Sequence, residues 1–353
     1  MRALRFHAAR DVRLDEVQAP DRPTGSQVLI SPVFAGICGT DVHEYADGPL
    51  RTSVKPHPLT GADLPQILGH ELSAEVVEVG PDVDTLARGD RVSVMPLLSC
   101  GECAVCRSGQ DELCALRAAV GLRHPWGGMA DLGLVDANQL FRMPDALTWE
   151  QGAMIEPAAV SWSAVKTGGV ASQDHVLVTG AGPIGALAAL AASAVGARVL
   201  ISEPNRARGK RLELLGFDVI DPRQVDVVEA CRDWSPDGVD VAIECSGADP
   251  AIQAALAALR PGGRMVQTGI PARPSPIDLA KLMLRGLTIV GSVGYPLGCW
   301  PELMDAVASG ALPIDRVMTG QVTIENAVSD GFEPLLDPSG DAIKILIDLQ
   351  KRA

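Results

Sequence analysis

The pattern of apolar and polar positions changes near residue 150. Before that point, short β-like runs are separated by Gly, Pro and Asp turn signals, as in Gln27 to Pro32, Glu75 to Val79 and Arg91 to Val94. Runs of this length between turn residues are typical of β-strands. We therefore expect the first 150 residues to form a β-rich domain.

From His175 onward, strand-length apolar runs alternate with segments of helical length. In order they are HVLVTG, PIGALAALAASAVG, ARVLISE, RARGKRLELLG, DVI, VDVAIECSG, GRMVQTG and LTIVGSV. Strands joined through helices need right-handed crossovers, which build a parallel sheet with helices on both faces. The pattern predicts an α/β fold with a doubly wound, nucleotide-binding domain.

The pattern changes again after Pro296, where PELMDAVASG and AIKILIDL no longer fit this alternation. A chain of 353 residues is long enough for two domains. We expect the tail to pack against the first domain, so that residues 1–158 and 297–353 form one discontinuous domain. Residues 159–296 then form the nucleotide-binding domain.

The charge balance argues against two classes of partner. The chain has 44 acidic and 30 basic residues, a formal net charge of -14, which repels nucleic acids and anionic membranes.

The first twenty residues lack the apolar run of a signal peptide. The apolar stretch from Pro183 to Val195 is too short to span a membrane and predicts a buried helix. We expect a cytoplasmic protein that acts on small molecules.

A glycine-rich turn lies between the first strand and the first helix of the second domain. Gly180, Gly182 and Gly185 have the G-x-G-x-x-G spacing, with Pro183 and Ile184 between the last two. The glycines permit a tight turn, a close approach of the backbone to pyrophosphate, and close packing of helix on strand. The free amides at the start of the helix point at the phosphates. The segment predicts a dinucleotide site.

Glu203 favours one dinucleotide over the other. It ends the second strand of this domain, where a carboxylate accepts hydrogen bonds from ribose hydroxyls and repels a 2′-phosphate. Arg206 and Arg208 follow closely and keep NADP open as an alternative, although exposed charges at a helix start are common. We predict NAD as the cofactor.

Four cysteines lie within one short loop, SCGECAVCRSGQDELC. Cys100, Cys103, Cys106 and Cys114 have the spacing C-x2-C-x2-C-x7-C, which lets four thiolates surround one tetrahedral zinc ion and leaves no position for water. A zinc module for nucleic acid would carry more basic residues than this loop does. We predict a structural zinc site.

A second group of metal-binding residue types occurs nearer the start of the chain. Cys38 lies in AGICGTDVHEY, and His70 and Glu71 lie in LGHELSAEVVEVG. A thiolate, an imidazole and a carboxylate suit a zinc ion that keeps one position open for water or substrate. Each residue alone also has an ordinary structural role, so the prediction depends on their combination with the other motifs.

Together, GICGTD, GHE, the four-cysteine loop and GAGPIG resemble the zinc-containing medium-chain alcohol dehydrogenases, whose motifs occur in the same order along the whole chain. The segments DGPL, HPLTG, MIEPAAV, ISEP and GFEPLLDP resemble the branch of sorbitol and butanediol dehydrogenases. The resemblance implies a GroES-like catalytic domain beside a Rossmann domain, with two zinc ions per chain. It also implies hydride transfer between NAD and a secondary alcohol, and a homodimer or homotetramer.

The resemblance further implies a second carboxylate near the catalytic zinc, Glu156 in IEPAAV. With a Cys38 thiolate and a neutral His70, one carboxylate makes the site neutral, and a second would weaken the ability of zinc to lower the pKa of an alcohol. Glu71 and Glu156 are therefore alternative ligands, and the choice stays open. We expect Asp41 to orient the ring of His70, although an ordinary turn role for this aspartate is almost as common.

Thr40 and His43 match the family's proton relay. In that relay the threonine hydroxyl accepts the proton of the substrate and the cofactor ribose passes it on. A histidine that titrates near neutral pH then delivers the proton to water.

The substrate is harder to predict, because its contacts lie on loops. The segment from Gly48 to Gln66 resembles the butanediol branch and favours vicinal diols, hydroxyketones or polyols. Tyr45, His57 and Trp126 are candidate contacts. Trp126 and Met129 lie in VGLRHPWGGMADL, which departs from the family's glycine-rich stretch and would suit a wider apolar pocket.

Three alternatives stay in view. The first is an NADP-linked or biosynthetic dehydrogenase for a bulkier secondary alcohol. The second is a zinc-bearing structural or binding protein without turnover, which the intact Thr40, His43 and glycine turn argue against. The third is a zinc-free reductase of this fold, which would lack Cys38, His70 and the four-cysteine loop.

Overall fold

A computed structural model describes residues 1–351 of the chain. Within that range the strands are Arg2–Ala8 (β1), Asp11–Glu16 (β2), Gln27–Gly36 (β3), Gln66–Ile67 (β4), Glu71–Val79 (β5), Arg91–Val94 (β6), Leu97–Leu98 (β7), Ala118–Ala119 (β8), Gly133–Asp136 (β9), Leu140–Arg142 (β10), His175–Thr179 (β11), Arg198–Ser202 (β12), Asp218–Ile220 (β13), Val239–Glu244 (β14), Leu259–Gln267 (β15), Thr288–Gly291 (β16), Met318–Thr323 (β17) and Lys344–Asp348 (β18).

The α-helices of the same residues are Gly39–Asp47 (α1), Ala104–Arg107 (α2), Trp149–Gly168 (α3), Pro183–Ala194 (α4), Arg206–Leu214 (α5), Val227–Trp234 (α6), Asp249–Ala258 (α7), Leu279–Leu284 (α8), Trp300–Ala308 (α9) and Glu333–Leu336 (α10). Short 3-10 turns cover Asp111–Leu113, Ala137–Gln139, Leu297–Cys299 and Ile314–Val317, and a π-helical turn covers Ala327–Phe332.

The first part of the chain is β-rich, as expected. A seven-stranded sheet has the order β10-β6-β5-β3-β18-β17, with β9 also paired to β3, and a smaller sheet has the order β2-β1-β4. Buried side chains such as Phe6, Ile30, Leu72 and Phe332 form the apolar core of this part. Within residues 1–150 this part also contains α1, α2 and the start of α3, which the strand pattern did not predict.

The second part is a parallel six-stranded sheet of order β13-β12-β11-β14-β15-β16. Helices pack on both faces, and one apolar core lies on each side of the sheet. The order reverses between β11 and β14, which opens a crevice at the carboxyl ends of these strands. The predicted α/β fold is confirmed.

The C-terminal segment returns to the first part of the molecule. Strand β18 runs antiparallel to β3, with Leu346 opposite Gly36, and β17 adds parallel to β18. This pairing supports the proposed division into residues 1–158 with 297–353 and residues 159–296. The boundary at residue 158 falls inside α3, a helix shared by both parts.

Helix α4 is buried along its whole middle, from Gly185 to Ala192, as the apolar stretch predicts. Among residues 1–351, no helix is long and apolar enough to cross a membrane.

Candidate functional site

The sulfur atoms of the four-cysteine loop converge on one point. Cys103 precedes α2, Cys106 lies on it, and pairing of β7 with β8 closes the base of the loop. The sulfur atoms lie 3.3 Å apart for Cys103 and Cys106, 3.6 Å for Cys100 and Cys114, and 3.9 Å for Cys103 and Cys114.

These separations fit one zinc ion. Four sulfurs at the usual Zn–S distance form a tetrahedron with edges of about 3.8 Å. Hydrogen bonds from the backbone of Glu102 and Cys103 lower the pKa of Cys100 to about 6, which favours the thiolate form that binds metals. The loop offers a closed set of four donors.

Strand pairing brings the second group of ligand types together. Gly36, at the end of β3, lies opposite Glu71 at the start of β5, and Cys38 and His70 are close to this pair in sequence. One ligand atom each from Cys38, His70 and Glu71 lie within 4.8 Å of one another. Three protein donors at this spacing suit a zinc ion with an open fourth position.

Asp41 connects the helix start to His70. Its Oδ2 atom accepts a hydrogen bond of 3.0 Å from the Cys38 amide. Its Oδ1 atom lies 3.6 Å from Nδ1 of His70, and neither buried atom has a hydrogen-bond partner among the described residues. Burial opposes a charged imidazole, but Asp41 and Cys38 outweigh it and raise the pKa of His70 well above its usual value. These surroundings attract positive charge, as a cation site must.

Lys344 is a member of this group that the sequence analysis did not identify. Its ammonium donates to Oε2 of Glu71 and, at 3.0 Å, to the carbonyl of Ile37. The side chains of Lys344 and Glu71 are 0% and 1% exposed. Because a buried charge is costly unless it is paired, this ion pair is a fixed part of the site.

Glu156 lies on α3, buried beside the same group. Burial raises its pKa to about 7; Glu71 adds to the increase, whereas His70 opposes it. Tyr295, also missed in the sequence, is buried nearby, and burial followed by the charge of Glu156 raises the pKa of its hydroxyl well above the usual value. In the described part of the chain, the compact donor group contains Glu71 and not Glu156.

Thr40 and His43 lie three residues apart on α1, a spacing that places them on the same side of the helix. The Thr40 hydroxyl is 3.7 Å from the Cys38 sulfur, and His43 is exposed to solvent. One face of α1 therefore carries Thr40 beside the donor group and His43 at the solvent-exposed surface.

The glycine turn occupies the crevice where the order of the parallel sheet reverses. Gly180 has φ +92°, a conformation that favours glycine, and a Cβ atom on Gly185 would collide with the Gly180 carbonyl. Helix α4 begins at Pro183 and Ile184, directly after Gly182. A pyrophosphate can therefore approach both the turn and the start of the helix.

Glu203 lies against this turn. Its Oε2 atom accepts a hydrogen bond of 2.5 Å from the backbone amide of Ala181. Its Oε1 atom accepts one of 2.6 Å from the backbone amide of Asn205. An open cleft of about 650 Å³ begins beside it. Three basic side chains line that cleft: Arg206, Lys210 and Arg223.

Two of the candidate substrate contacts, Tyr45 and His57, are buried. The Tyr45 hydroxyl donates to Glu333 at 2.5 Å, and its ring packs edge-on against Phe332. His57 is buried, and this burial lowers the pKa of its imidazole. The positive charge of Arg123 lowers the pKa further, to a smaller extent. These contacts favour packing roles, and both assignments to the pocket stay predictions.

Trp126 packs against a small cluster that includes Ala3, Ile67 and Ala130. Met129 is fully buried in the core of the first part. The wider apolar pocket suggested for these two residues also stays a prediction, and the contacts favour packing.

Comparisons with known families agree with this arrangement. The family described as "Zinc-binding dehydrogenase" matches residues 183–309, and the "Alcohol dehydrogenase GroES-like domain" matches residues 24–145. The (R,R)-butanediol dehydrogenase of Bacillus subtilis is 33% identical over 350 residues, which cover 98% of this chain and 99% of the relative. The chain belongs to the zinc-containing alcohol dehydrogenase family.

Two further comparisons place it within that family. The L-threonine 3-dehydrogenase of Pyrococcus abyssi is 35% identical over 331 residues, 92% of each chain. The crystal structure of 2R,3R-butanediol dehydrogenase from Bacillus subtilis has a TM-score of 0.93 at 32% identity and covers 99% of both chains. The GroES-like and Rossmann parts and the resemblance to the butanediol branch are confirmed. The protein is a zinc-type alcohol dehydrogenase for small molecules that uses a nicotinamide cofactor.

Proposed function

We propose that this alcohol dehydrogenase uses NAD to oxidise, reversibly, a secondary alcohol with a polar neighbour, such as a vicinal diol, hydroxyketone or polyol. The observation that carries the proposal is the donor group of Cys38, His70 and Glu71, with the Thr40 hydroxyl 3.7 Å from the Cys38 sulfur. A purely structural metal site would use a closed set of donors and need no hydroxyl beside it.

Two zinc ions per chain are part of the proposal. The four-cysteine loop would hold the structural ion, and Cys38, His70 and Glu71 would hold the catalytic one. Lys344 donates to the Glu71 carboxylate. Glu156 lies outside the compact group of three donors, so it would be an accessory carboxylate. When bound, zinc acts as a Lewis acid that lowers the pKa of an alcohol.

The side chains around that ion handle protons and orientation. Thr40 would accept the proton of the alcohol, and His43 would deliver it to solvent by way of the cofactor ribose. Asp41 would hold the His70 ring in the orientation needed for a ligand, as carboxylates beside metal-bound imidazoles do.

NAD is the cofactor we propose. The glycine turn and α4 would bind the pyrophosphate, and Glu203 would accept hydrogen bonds from the adenosine ribose. NADP is the second candidate, because the cleft beside Glu203 is lined by Arg206, Lys210 and Arg223.

The substrate class follows from what the relatives share. One acts on butanediol, a vicinal diol, and another on L-threonine, whose hydroxyl stands beside an amine. Both substrates are secondary alcohols with a neighbouring polar group. We therefore propose this class for the present enzyme, and a bulkier secondary alcohol is the alternative.

We also propose a homodimer, with a homotetramer as the alternative. Strand β16 is an edge of the parallel sheet. In the segment between β15 and β16, Ile270, Leu279, Met283 and Leu284 are each at least 70% exposed, and we take these apolar side chains as the candidate contact surface. A second copy could cover this surface symmetrically, and sedimentation of wild type and of Met283→Glu tests the idea.

A cytoplasmic location is the last part of the proposal. All eight cysteines lie in the described residues and none forms a disulfide there. A reducing compartment suits both free thiols and thiolate-bound zinc.

The experiment measures reduction of NAD and NADP with (2R,3R)-butanediol, sorbitol, L-threonine, 2-propanol and cyclohexanol, together with zinc per chain. We expect two zincs and the fastest reduction of NAD with a diol or polyol. Preference for cyclohexanol or NADP would support the alternative enzyme. Two zincs without reduction of either cofactor would support a binding protein without turnover.

A further inference from the structure

Glu244 is a fully buried carboxylate that the mechanism above does not use. It ends strand β14 and is 0% exposed. Among residues 1–351, no lysine, arginine or histidine forms an ion pair with it within 4.0 Å. A buried charge without a cation is costly unless hydrogen bonds satisfy it, so its surroundings call for a physical explanation.

Five neutral donor groups surround this carboxylate. Oε1 accepts from the Thr179 hydroxyl at 3.2 Å and from the amide and hydroxyl of Ser246 at 2.8 and 2.5 Å. The Gly247 amide reaches both oxygens, at 3.1 and 3.0 Å, and the Gln267 amide donates to Oε2 at 2.6 Å. An ionised carboxylate can accept all of these bonds, whereas a neutral amide would place a donor against donors.

The donors come from the ends of three neighbouring strands. Thr179 ends β11 and Gln267 ends β15, and both lie in register with Glu244. Ser246 and Gly247 belong to the turn that follows β14. The order of the sheet reverses between β11 and β14, so Glu244 ties together the strand ends that border the cofactor crevice.

The turn held by Glu244 forms one wall of this crevice. A Cβ atom on Gly180 would lie 3.2 Å from the Ser246 side chain, so the turn packs directly on the glycine turn. On the other side, a Cβ atom on Gly269 would lie 2.7 Å from Glu244 itself. The carboxylate therefore holds a turn that packs against the glycine turn.

We propose that Glu244 is a positioning residue for the dinucleotide. Its charge holds the Ser246–Gly247 turn and Gln267 in place, and this arrangement sets the width of the crevice before cofactor binds. The inference rests on the proposed binding of a dinucleotide between β11 and β14. It concerns cofactor affinity and leaves the metal group unaffected.

The test measures the dissociation constants of NADH and NADPH by fluorescence for wild type, Glu244→Gln and Glu244→Ala, together with zinc content and melting temperature. Asp240→Asn is the matched control, because Asp240 accepts hydrogen bonds from His175 and Arg260 near the opposite end of the same strand. This control perturbs β14 without touching the crevice.

We expect Glu244→Gln to weaken NADH binding roughly tenfold, since one amide group faces donors, and Glu244→Ala to weaken it further. Zinc content should stay unchanged, and Asp240→Asn should bind NADH with a dissociation constant within about twofold of wild type.

If Glu244→Ala fails to fold, the result for Glu244→Gln decides the test. Wild-type affinity in Glu244→Gln, or equal weakening in an Asp240→Asn protein of the same melting temperature, overturns the inference. Wild type that binds neither dinucleotide would instead refute the proposed function.

Discussion

The ammonium of Lys344 donates to the carboxylate of Glu71, and both side chains are buried in the group that contains Cys38 and His70. The pair changes the charge balance expected from the sequence. With Lys344 present, a divalent ion plus one ammonium balances a Cys38 thiolate and two ionised carboxylates. Among these four side chains, Lys344 thus offsets the charge of one glutamate. The assignment of Glu71 as the direct ligand, with Glu156 as the accessory carboxylate, remains our proposal.

Replacing Lys344 should destabilise the fold, because the buried Glu71 carboxylate would lose the ammonium that pairs with it. In Lys344→Met, Glu71 would lose its ionic partner, so the free energy of unfolding should fall by about 3 kcal/mol. Urea denaturation measures this change. Lys281→Met is the control, because Lys281 pairs with Asp278 on the exposed surface. This substitution should change the free energy of unfolding by less than about 0.5 kcal/mol. Equal stabilities of the two variants would contradict the prediction.

Gly36 leaves the space that Glu71 occupies. A Cβ atom at Gly36 would overlap the Glu71 carboxylate and lie 3.1 Å from the Lys344 side chain. Gly36→Ala should therefore displace Glu71 and reduce alcohol oxidation roughly tenfold or more, while the cysteine-bound zinc remains. A Cβ atom at Gly39 meets nothing within 4 Å, so Gly39→Ala should retain wild-type activity. Unchanged activity in Gly36→Ala would show that the position of Glu71 does not matter.

The four-cysteine loop should hold its zinc independently of the other site. Cys103→Ser removes one of four thiolates from a closed tetrahedral site, so zinc should fall from two to one per chain and stability should decrease. Elemental analysis measures the metal. Cys231 is a buried thiol in a separate core, and Cys231→Ser should keep both ions. Two zincs in Cys103→Ser would refute this assignment.

Glu203 should control the choice between the two dinucleotides. In Glu203→Gln the repulsion of a 2′-phosphate disappears, while the basic side chains beside it remain. The preference for NAD over NADP, measured as the ratio of kcat/KM values, should fall roughly tenfold. Glu213→Gln alters an exposed carboxylate on α5 and should leave the ratio unchanged. An unchanged ratio in Glu203→Gln would show that Glu203 does not determine the preference for NAD over NADP.

Features encoded by short segments could be predicted from the sequence. The cysteine spacing, the glycine turn and the strand ending before Glu203 each depend on neighbours a few residues away, so local rules suffice. The buried helix α4 follows from its continuous apolar run. These segments carry most of the evidence for the fold and for the chemistry.

Features that depend on distant pairing were missed. Lys344 lies 273 residues from Glu71 in sequence, and only the register of β3, β5 and β18 brings them together. Helix α3 is buried on most faces and contains Pro157, so it lacks the amphipathic period and the uninterrupted sequence that indicate a helix. For Tyr45, the contact with Glu333 is equally remote in sequence.

The central claim is that the donor group of Cys38, His70 and Glu71 performs zinc-dependent oxidation of an alcohol. Its most direct test compares wild type with Cys38→Ser for NAD reduction by (2R,3R)-butanediol and for zinc per chain. We predict two zincs and turnover in wild type, but one zinc and no measurable turnover in a folded Cys38→Ser protein. Wild-type turnover in Cys38→Ser would contradict this assignment of the active site.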